Sequence, residues 1–407
     1  MSSLTVTLIL FSLLLLLLFL NVPLVVSIGL PTALIMLGSG MKVATLAQRT
    51  YASVDSFTLM AIPFFMLAGK LMEVGGMSKR IVRLADCLVG WMAGGLAHVI
   101  VVASAFFGAL SGSAAATTAA IGSTLIPEMK KRGYPADFVA GIQAVAGALG
   151  VIIPPSITMI MYGVCSSTSI GKLFMAGIVP GIVLALFLMV TIAYQAKKRK
   201  ISQMNTFTFK ELGTAFLDAI PALLVPTIIL GGIYGGIFTP TEAGAVAATY
   251  GFLAGAFWYK EINLQNIGNI MGGAIVNTVL VMIVVGASGA FSWLLTSAGV
   301  SSLLGKAISA IAGNKYIFLL VANLIFIFIG MFIESVAGIL IVTPILLPIA
   351  TSLGVDPVHF GIIMVVNLAL GLTTPPVGEN QYIAAAIAEI PFEEEVKASI
   401  PFLIAGF

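Results

Sequence analysis

The chain has 407 residues, of which 59% are hydrophobic and only 9% charged, with a formal net charge of +3 and a mean hydropathy of +1.13. Soluble domains carry about 25% charged residues, so this composition excludes an ordinary soluble enzyme and describes a polytopic membrane protein. The small positive excess falls in short clusters between apolar stretches, where it is a topology signal and gives no argument for nucleic acid.

A membrane-crossing helix needs about 20 apolar residues. Helices are expected near 4–20, 23–40 and 55–74. The first has no basic leader and runs past Asn21-Val22-Pro23 into the next span, so it reads as a retained helix and not a signal peptide. An amphipathic arm at 75–90 leads to the segment 92–129, which Ser111-Gly112-Ser113 interrupts. Each flanking arm is too short to cross alone if the chain folds back there, the pattern of a re-entrant hairpin. A broken helix over 137–163 follows, because Gly150 and Pro154-Pro155 lie inside an apolar run and proline cannot donate to the preceding turn. A helix at 175–195 and the basic linker Lys197 to Lys200 close the first half.

The second half repeats the order, with helices near 214–235, 241–259 and 270–296 and an arm at 299–313. A hairpin at 315–350 and a broken helix at 358–390 complete it. Aligning Pro154-Pro155 with Pro375-Pro376 places Gly150 on Gly371. Gly76 precedes Ser111 by 35 residues and Gly299 precedes Glu334 by 35, so Glu334-Ser335 takes the place of the second tip. The basic clusters at Lys79 to Arg83, Lys130 to Arg132, Lys197 to Lys200 and Lys260 share one side only if 92–129 is re-entrant. That side is then cytoplasmic, the N-terminus faces outward and the two repeats are inverted. Pro401 to Phe407 begins what reads as a further apolar helix, implying an unusual end or a shortened chain.

Broken helices expose backbone oxygens that hydrocarbon cannot satisfy, and in pairs they point to an ion or substrate site. In the first half the candidate cation ligands are the hydroxyls of Ser111 and Ser113 and the carbonyls of Gly150, Ile153 and Pro155. In the second they are Gly371, Thr374 and Pro376. Neutral hard oxygens of this kind suit a sodium ion (Na+) better than a divalent metal. Candidate substrate contacts are Ser111, Glu334, Ser335, Thr373 and Glu379, Glu334 because an intramembrane carboxylate is functional by default. Glu379 opens Glu379-Asn380-Gln381, which could equally cap the next half-helix. Thr239 and Glu242 read as a helix N-cap. Cys87 and Cys165 lie in different segments and are not expected to pair. No nucleophile, base or metal-ligand constellation is recognisable, and Gly299 to Ala307 fails the spacing of a nucleotide-binding loop.

Leu110 to Pro135, Gly150 to Ile157, Ser169 to Gly181, Phe238 to Ala248, Gly330 to Pro348 and Asp356 to Gly378 together resemble the large membrane (M) subunit of tripartite ATP-independent periplasmic (TRAP) transporters. The resemblance implies an all-α fold with inverted repeats, related to divalent-anion sodium symporters, in which a hairpin domain moves as an elevator. That domain would comprise 92–163 and 315–390. The scaffold would comprise 1–91 with the first arm, 164–314 with the linker and second arm, and 391–407 as the start of a C-terminal segment. The resemblance further implies sodium-coupled import of an organic acid, such as a dicarboxylate, sialic acid or another sugar acid, across the bacterial inner membrane. It also implies a small four-helix partner (Q subunit) and a periplasmic substrate-binding protein (P subunit). The family's tip serines fall on Ser111 and Ser113, its broken-helix carbonyls on Gly150 and Ile153 to Pro155, and its second-tip acid on Glu334. After Pro375-Pro376-Val377-Gly378 the family usually continues with an apolar or asparagine-containing run, where this chain has Glu379. Two alternatives predict different behaviour: a stand-alone divalent-anion carrier needs no binding protein, and a non-transporting scaffold or channel tolerates alanine at Ser111 and Ser113.

Overall fold

An apolar chain in lipid must satisfy its backbone internally, and all regular structure among the described residues is helical. The computed structural model describes residues 2–20, 22–201, 208–300, 303 and 314–407. The first half contains α1 (Ser3–Phe19), α2 (Leu24–Gly38), α3 (Val43–Val54), α4 (Ala61–Val74, entered by a 3-10 turn at Phe57–Met60) and α5 (Met77–Val89). It continues through α6 (Gly95–Ser111), α7 (Ala114–Lys131), α8 (Ala136–Ala146), α9 (Leu149–Ile152), α10 (Ile157–Ser166) and α11 (Ile170–Lys198). The second half contains α12 (Phe209–Tyr234), α13 (Pro240–Leu253), α14 (Ile267–Ser297), α15 (Lys315–Gly330), α16 (Ser335–Ser352), α17 (Pro357–Gly371), α18 (Glu379–Ala388) and α19 (Phe392–Gly406). The arm expected at 299–313 lies outside the described residues apart from its first positions and Leu303.

Among the described residues, five helices are long and apolar enough to cross a membrane: Phe57–Val74, α11, α12, α14 and α16. The segment α8 to α10, bent by 43° at the first break, makes a sixth if it counts as one span. Of the four hairpin arms only α16 meets that test. The arm α7 is equally long at 18 residues but ends in Glu128, Lys130 and Lys131. The outer faces remain apolar, with Leu8, Phe187, Val190 and Leu280 more than half exposed, as a lipid-facing surface requires.

One helix was not expected. The stretch 43–54 is too polar for a span and carries no break signal, yet it forms α3, which lies against α14 and α2 and stacks Arg49 over the Trp293 ring at 4.7 Å. The arm α5 follows Gly76 and is held by charge. Arg80 reaches Glu261 at 3.0 Å and lies 3.9 Å over the Tyr259 ring, while Arg83 reaches Asp218 at 3.5 Å. Partial burial raises the Glu261 carboxyl pKa, but hydrogen bonds from Arg80 and Lys79 outweigh this and hold it below its usual range.

The helices pack as two groups that meet at α4, α5 and α14. In one, α13 lies along α4, α12 along α5 and α13, and α14 crosses α2, α3 and α4. In the other, the two hairpins and the two broken helices interlock. The second part of the first broken helix, α10, packs on the hairpin arm α16, and the second part of the other, α18, packs on α7 and α8. Tyr162 of α10 is fully buried and donates to Pro357 O at 2.6 Å, passing beside Gly361, where a side chain would strike the ring. Lipid offers no hydrophobic drive for helix association, so close approach at small residues such as Gly361 carries this packing. The last helix, α19, lies along α8 and α11, with Phe402 against Phe138 at 6.0 Å.

Candidate functional site

Both breaks follow from proline chemistry. In an unbroken helix the carbonyls of Gly150 and Val151 would accept from residues 154 and 155, which are prolines and have no amide hydrogen. Ser156 repairs one of them, its hydroxyl donating to Val151 O at 2.6 Å, and then caps α10 by accepting from Met159 N at 3.3 Å. At the second break Pro375 and Pro376 stand in the same relation to Gly371 and Leu372. Here Leu372 O accepts from Asn380 N at 3.1 Å and Gly371 O from Thr374 N at 2.9 Å. Both diproline bonds are cis.

The first tip sits on the first break. Gly112 has φ +63°, a conformation that favours glycine, and its carbonyl accepts from Ile157 N at 3.3 Å across the gap. Ser111 Oγ lies 2.9 Å from Thr117 Oγ1 and 3.4 Å from Ser113 O, and Ser113 Oγ caps α7 by accepting from Ala116 N at 3.4 Å. The approach is close enough that a Cβ on Gly150 would collide with Ser113 O and Thr117 Oγ1. A Cβ on Gly108 would lie 2.8 Å from Gly150 Cα. Ser111, Ser113, Gly150 and Pro155 therefore gather at one place, and Ile153, extended at φ −82° and ψ 124°, leads into the diproline beside them.

The second tip is finished differently. Glu334 is the N-cap of α16, its carboxylate accepting from Val336 N at 2.9 Å and Ala337 N at 3.4 Å. A helix N-terminus favours negative charge there. A Cβ on Gly371 would meet the Gly330 backbone, and one on Gly330 would lie 3.0 Å from Gly371 Cα, the counterpart of the pair Gly108 and Gly150. Thr373 and Thr374 both donate back to Leu370 O, at 2.7 and 2.8 Å.

Between the tips and the wall formed by α4 and α14 lies a cavity of about 530 Å³ whose polar lining is Lys70, Glu73, Ser113, Asn277, Glu334 and Glu379. This is an ordinary volume for a small-molecule site. Of the expected substrate contacts, Glu334 and Glu379 face it. Ser111 and Thr373 are buried behind it, and Ser335 is fully buried with a hydroxyl that has no hydrogen-bond partner. Asn380 and Gln381 turn inward: Asn380 Nδ2 donates to Ala144 O at 3.2 Å and Gln381 Nε2 to Ser399 Oγ at 2.9 Å. Glu242 closes a capping box with Thr239, as expected, by accepting from Thr239 N at 2.8 Å.

Sequence reasoning missed Lys70, Glu73 and Asn277. Lys70 and Glu73 form an ion pair at 3.0 Å on α4, with about a third of each side chain exposed. Their signal was available, since both are charges near the end of the apolar span 55–74 and such charges are rarely idle. Asn277 and Thr117 carried no comparable signal.

A family model described as the tripartite ATP-independent periplasmic transporter, DctM component, matches residues 8–407. The chain is 43% identical over 388 residues to the isethionate TRAP transporter permease protein DctMQ of Oleidesulfovibrio alaskensis, covering 94% of this chain and 61% of that one. It is 42% identical over 379 residues to the C4-dicarboxylate TRAP transporter large permease protein DctM of Pseudomonas aeruginosa, covering 93% and 89%. The crystal structure of the Alcanivorax borkumensis YdaH transporter matches with a TM-score of 0.64 at 14% identity, over 89% of this chain and 85% of that one, a likeness of fold alone. Both hairpins and both breaks lie within the matched residues, and the chain belongs to the DctM family of TRAP transporter large permeases, a membrane transport component and not an enzyme.

Proposed function

We propose that this permease drives sodium-coupled import of a small organic acid across the bacterial inner membrane. In this reading a periplasmic binding protein delivers the substrate and a small four-helix subunit completes the membrane complex. The observation that carries it is the convergence of Ser111, Ser113 and the Gly150 to Ser156 break, where hydroxyl and carbonyl oxygens without a carboxylate gather at interrupted helices. Such neutral oxygens match a monovalent cation, and Gly371, Thr374 and Pro376 supply a second set. A cation at each break would neutralise carbonyl ends and order the tips. The N-terminus of α7, which borders the cavity, would help hold an acid group there. The relatives named for isethionate and for C4-dicarboxylates support a small organic anion, and the name DctMQ supports a partner that can share a chain with the large subunit.

For transport, the interlocked body of α6 to α10 and α15 to α18 would move against the wall of α4, α13 and α14. The helix α19, in the segment 391–407 expected to belong to the scaffold, packs along both α8 and α11. The test is uptake into proteoliposomes holding both membrane subunits. Accumulation that requires an inward sodium gradient and the loaded binding protein supports the reading; accumulation that persists without sodium overturns it.

A further inference from the structure

The polar lining of the cavity is unbalanced for an anion carrier. Three carboxylates, Glu73, Glu334 and Glu379, face it with a single cation, Lys70. Glu334 is met by two backbone amides, whereas among the described residues no hydrogen bond or ion pair holds the Glu379 side chain. At the second tip the first amides of α16 are already taken by Glu334, so an incoming acid group finds its side-chain cation on the opposite wall, at Lys70. We infer that Lys70 of α4 contacts the substrate's acid group and selects for it, an assignment that rests on the organic-acid reading above.

The placement of Lys70 fits that task. Its neighbour Gly69 abuts the first tip so closely that a Cβ there would lie 3.4 Å from Ser111 Cα and 3.5 Å from Ser111 O. Lys70 therefore enters the cavity beside the hairpin tip. Its stem passes α14 at Gly273, where an added Cβ would lie 3.5 Å from Lys70 Cε. An ammonium has three donors, and Glu73 engages it with two oxygens, at 3.0 and 3.2 Å. The pair is partly exposed to the cavity, so an ammonium held there has a donor to offer an incoming carboxylate or sulfonate. Because Lys70 stands on the wall and not on a tip, the substrate is selected when tip and wall meet and is released from Lys70 when they part.

The test uses the purified complex of large and small subunits, with succinate, isethionate and N-acetylneuraminate as probes. Affinity is titrated at saturating sodium, and uptake into proteoliposomes supplied with the loaded binding protein is followed in parallel. For the acid that the wild type accumulates, Lys70→Gln raises Kd at least tenfold while the sodium half-saturation stays within twofold. Lys70→Arg restores most of the affinity. An unchanged Kd in Lys70→Gln, or equal losses in Lys70→Gln and Lys70→Arg with sodium binding impaired as well, overturns the assignment while leaving sodium-coupled acid transport intact. Wild-type vesicles that accumulate none of the three acids overturn the organic-acid reading and this assignment with it.

Discussion

At the first break the hairpin tip is bonded to the broken helix itself, Ile157 N to Gly112 O at 3.3 Å, and Ser111 is only 7% exposed. At the second, Glu334 caps its own helix and looks into the cavity, and the meeting of tip helix and break is a contact of Gly330 with Gly371. The two regions share a diproline, a glycine at the same offset and a close glycine pair. They differ in which side chains complete them. Serine at the first tip turns its oxygen toward the break and Thr117, so those oxygens are held together before any ion arrives. A carboxylate at the second tip is long enough to reach the first amides of α16, which leaves the tip facing the cavity. Under the proposed sodium coupling, the first region would be a preformed cation seat, and the second a seat completed when something enters the cavity.

The glycine at each break offers the strongest way to break this contrast. Gly150→Ala places a methyl against Ser113 O and Thr117 Oγ1, two atoms of the preformed cluster. Uptake should be lost, with sodium-dependent thermal stabilisation gone and a stability loss of about 1–3 kcal/mol from overpacking. Gly371→Ala strikes the Gly330 backbone instead. It should also lower stability but keep sodium-dependent stabilisation from the first region. If the Gly371 variant loses that stabilisation and the Gly150 variant keeps it, the contrast is reversed.

A smaller effect separates the tips. Ser111→Ala removes the 2.9 Å partner of the Thr117 hydroxyl, for a loss of about 1 kcal/mol and a sodium half-saturation raised several-fold in uptake assays. Glu334→Gln should leave sodium binding in the absence of substrate within twofold and alter substrate affinity instead. The smallest effect belongs to Thr373→Ala. That hydroxyl returns to Leu370 O within its own turn, so stability should fall by less than about 1 kcal/mol and sodium dependence should hold. A shift at Thr373 as large as that at Ser111 would mean the second region is as tightly assembled as the first.

Much of this was legible in local chain chemistry. Proline removes the amides at 154, 155, 375 and 376, so both breaks could be located to the residue. Gly112 between two serines marked a tip, and Thr239 with Glu242 marked a cap. Less visible was α3, because an amphipathic stretch of 12 residues without a break signal becomes a helix here by lying on α14. Ser335 could not be told apart from Glu334 as a substrate contact, since which of two adjacent side chains faces a cavity depends on how the capped helix is rotated against its neighbours. Lys70 and Glu73 carried a charge signal, but the opposite wall of the site could not be chosen among many spans.

The sequence by itself determined the membrane class of the protein, the paired interruptions and the oxygen-bearing residues at them, because each depends on backbone donors and periodicity over a few residues. Only the tertiary structure decided that α10 packs on α16 and α18 on α7, that Gly150 meets Ser113, and that Lys70 faces Glu334 and Glu379 across one cavity. Those pairings join segments far apart in the chain through close glycine contacts, and the hydropathy pattern of a helix surrounded by apolar neighbours does not encode which neighbour it will touch.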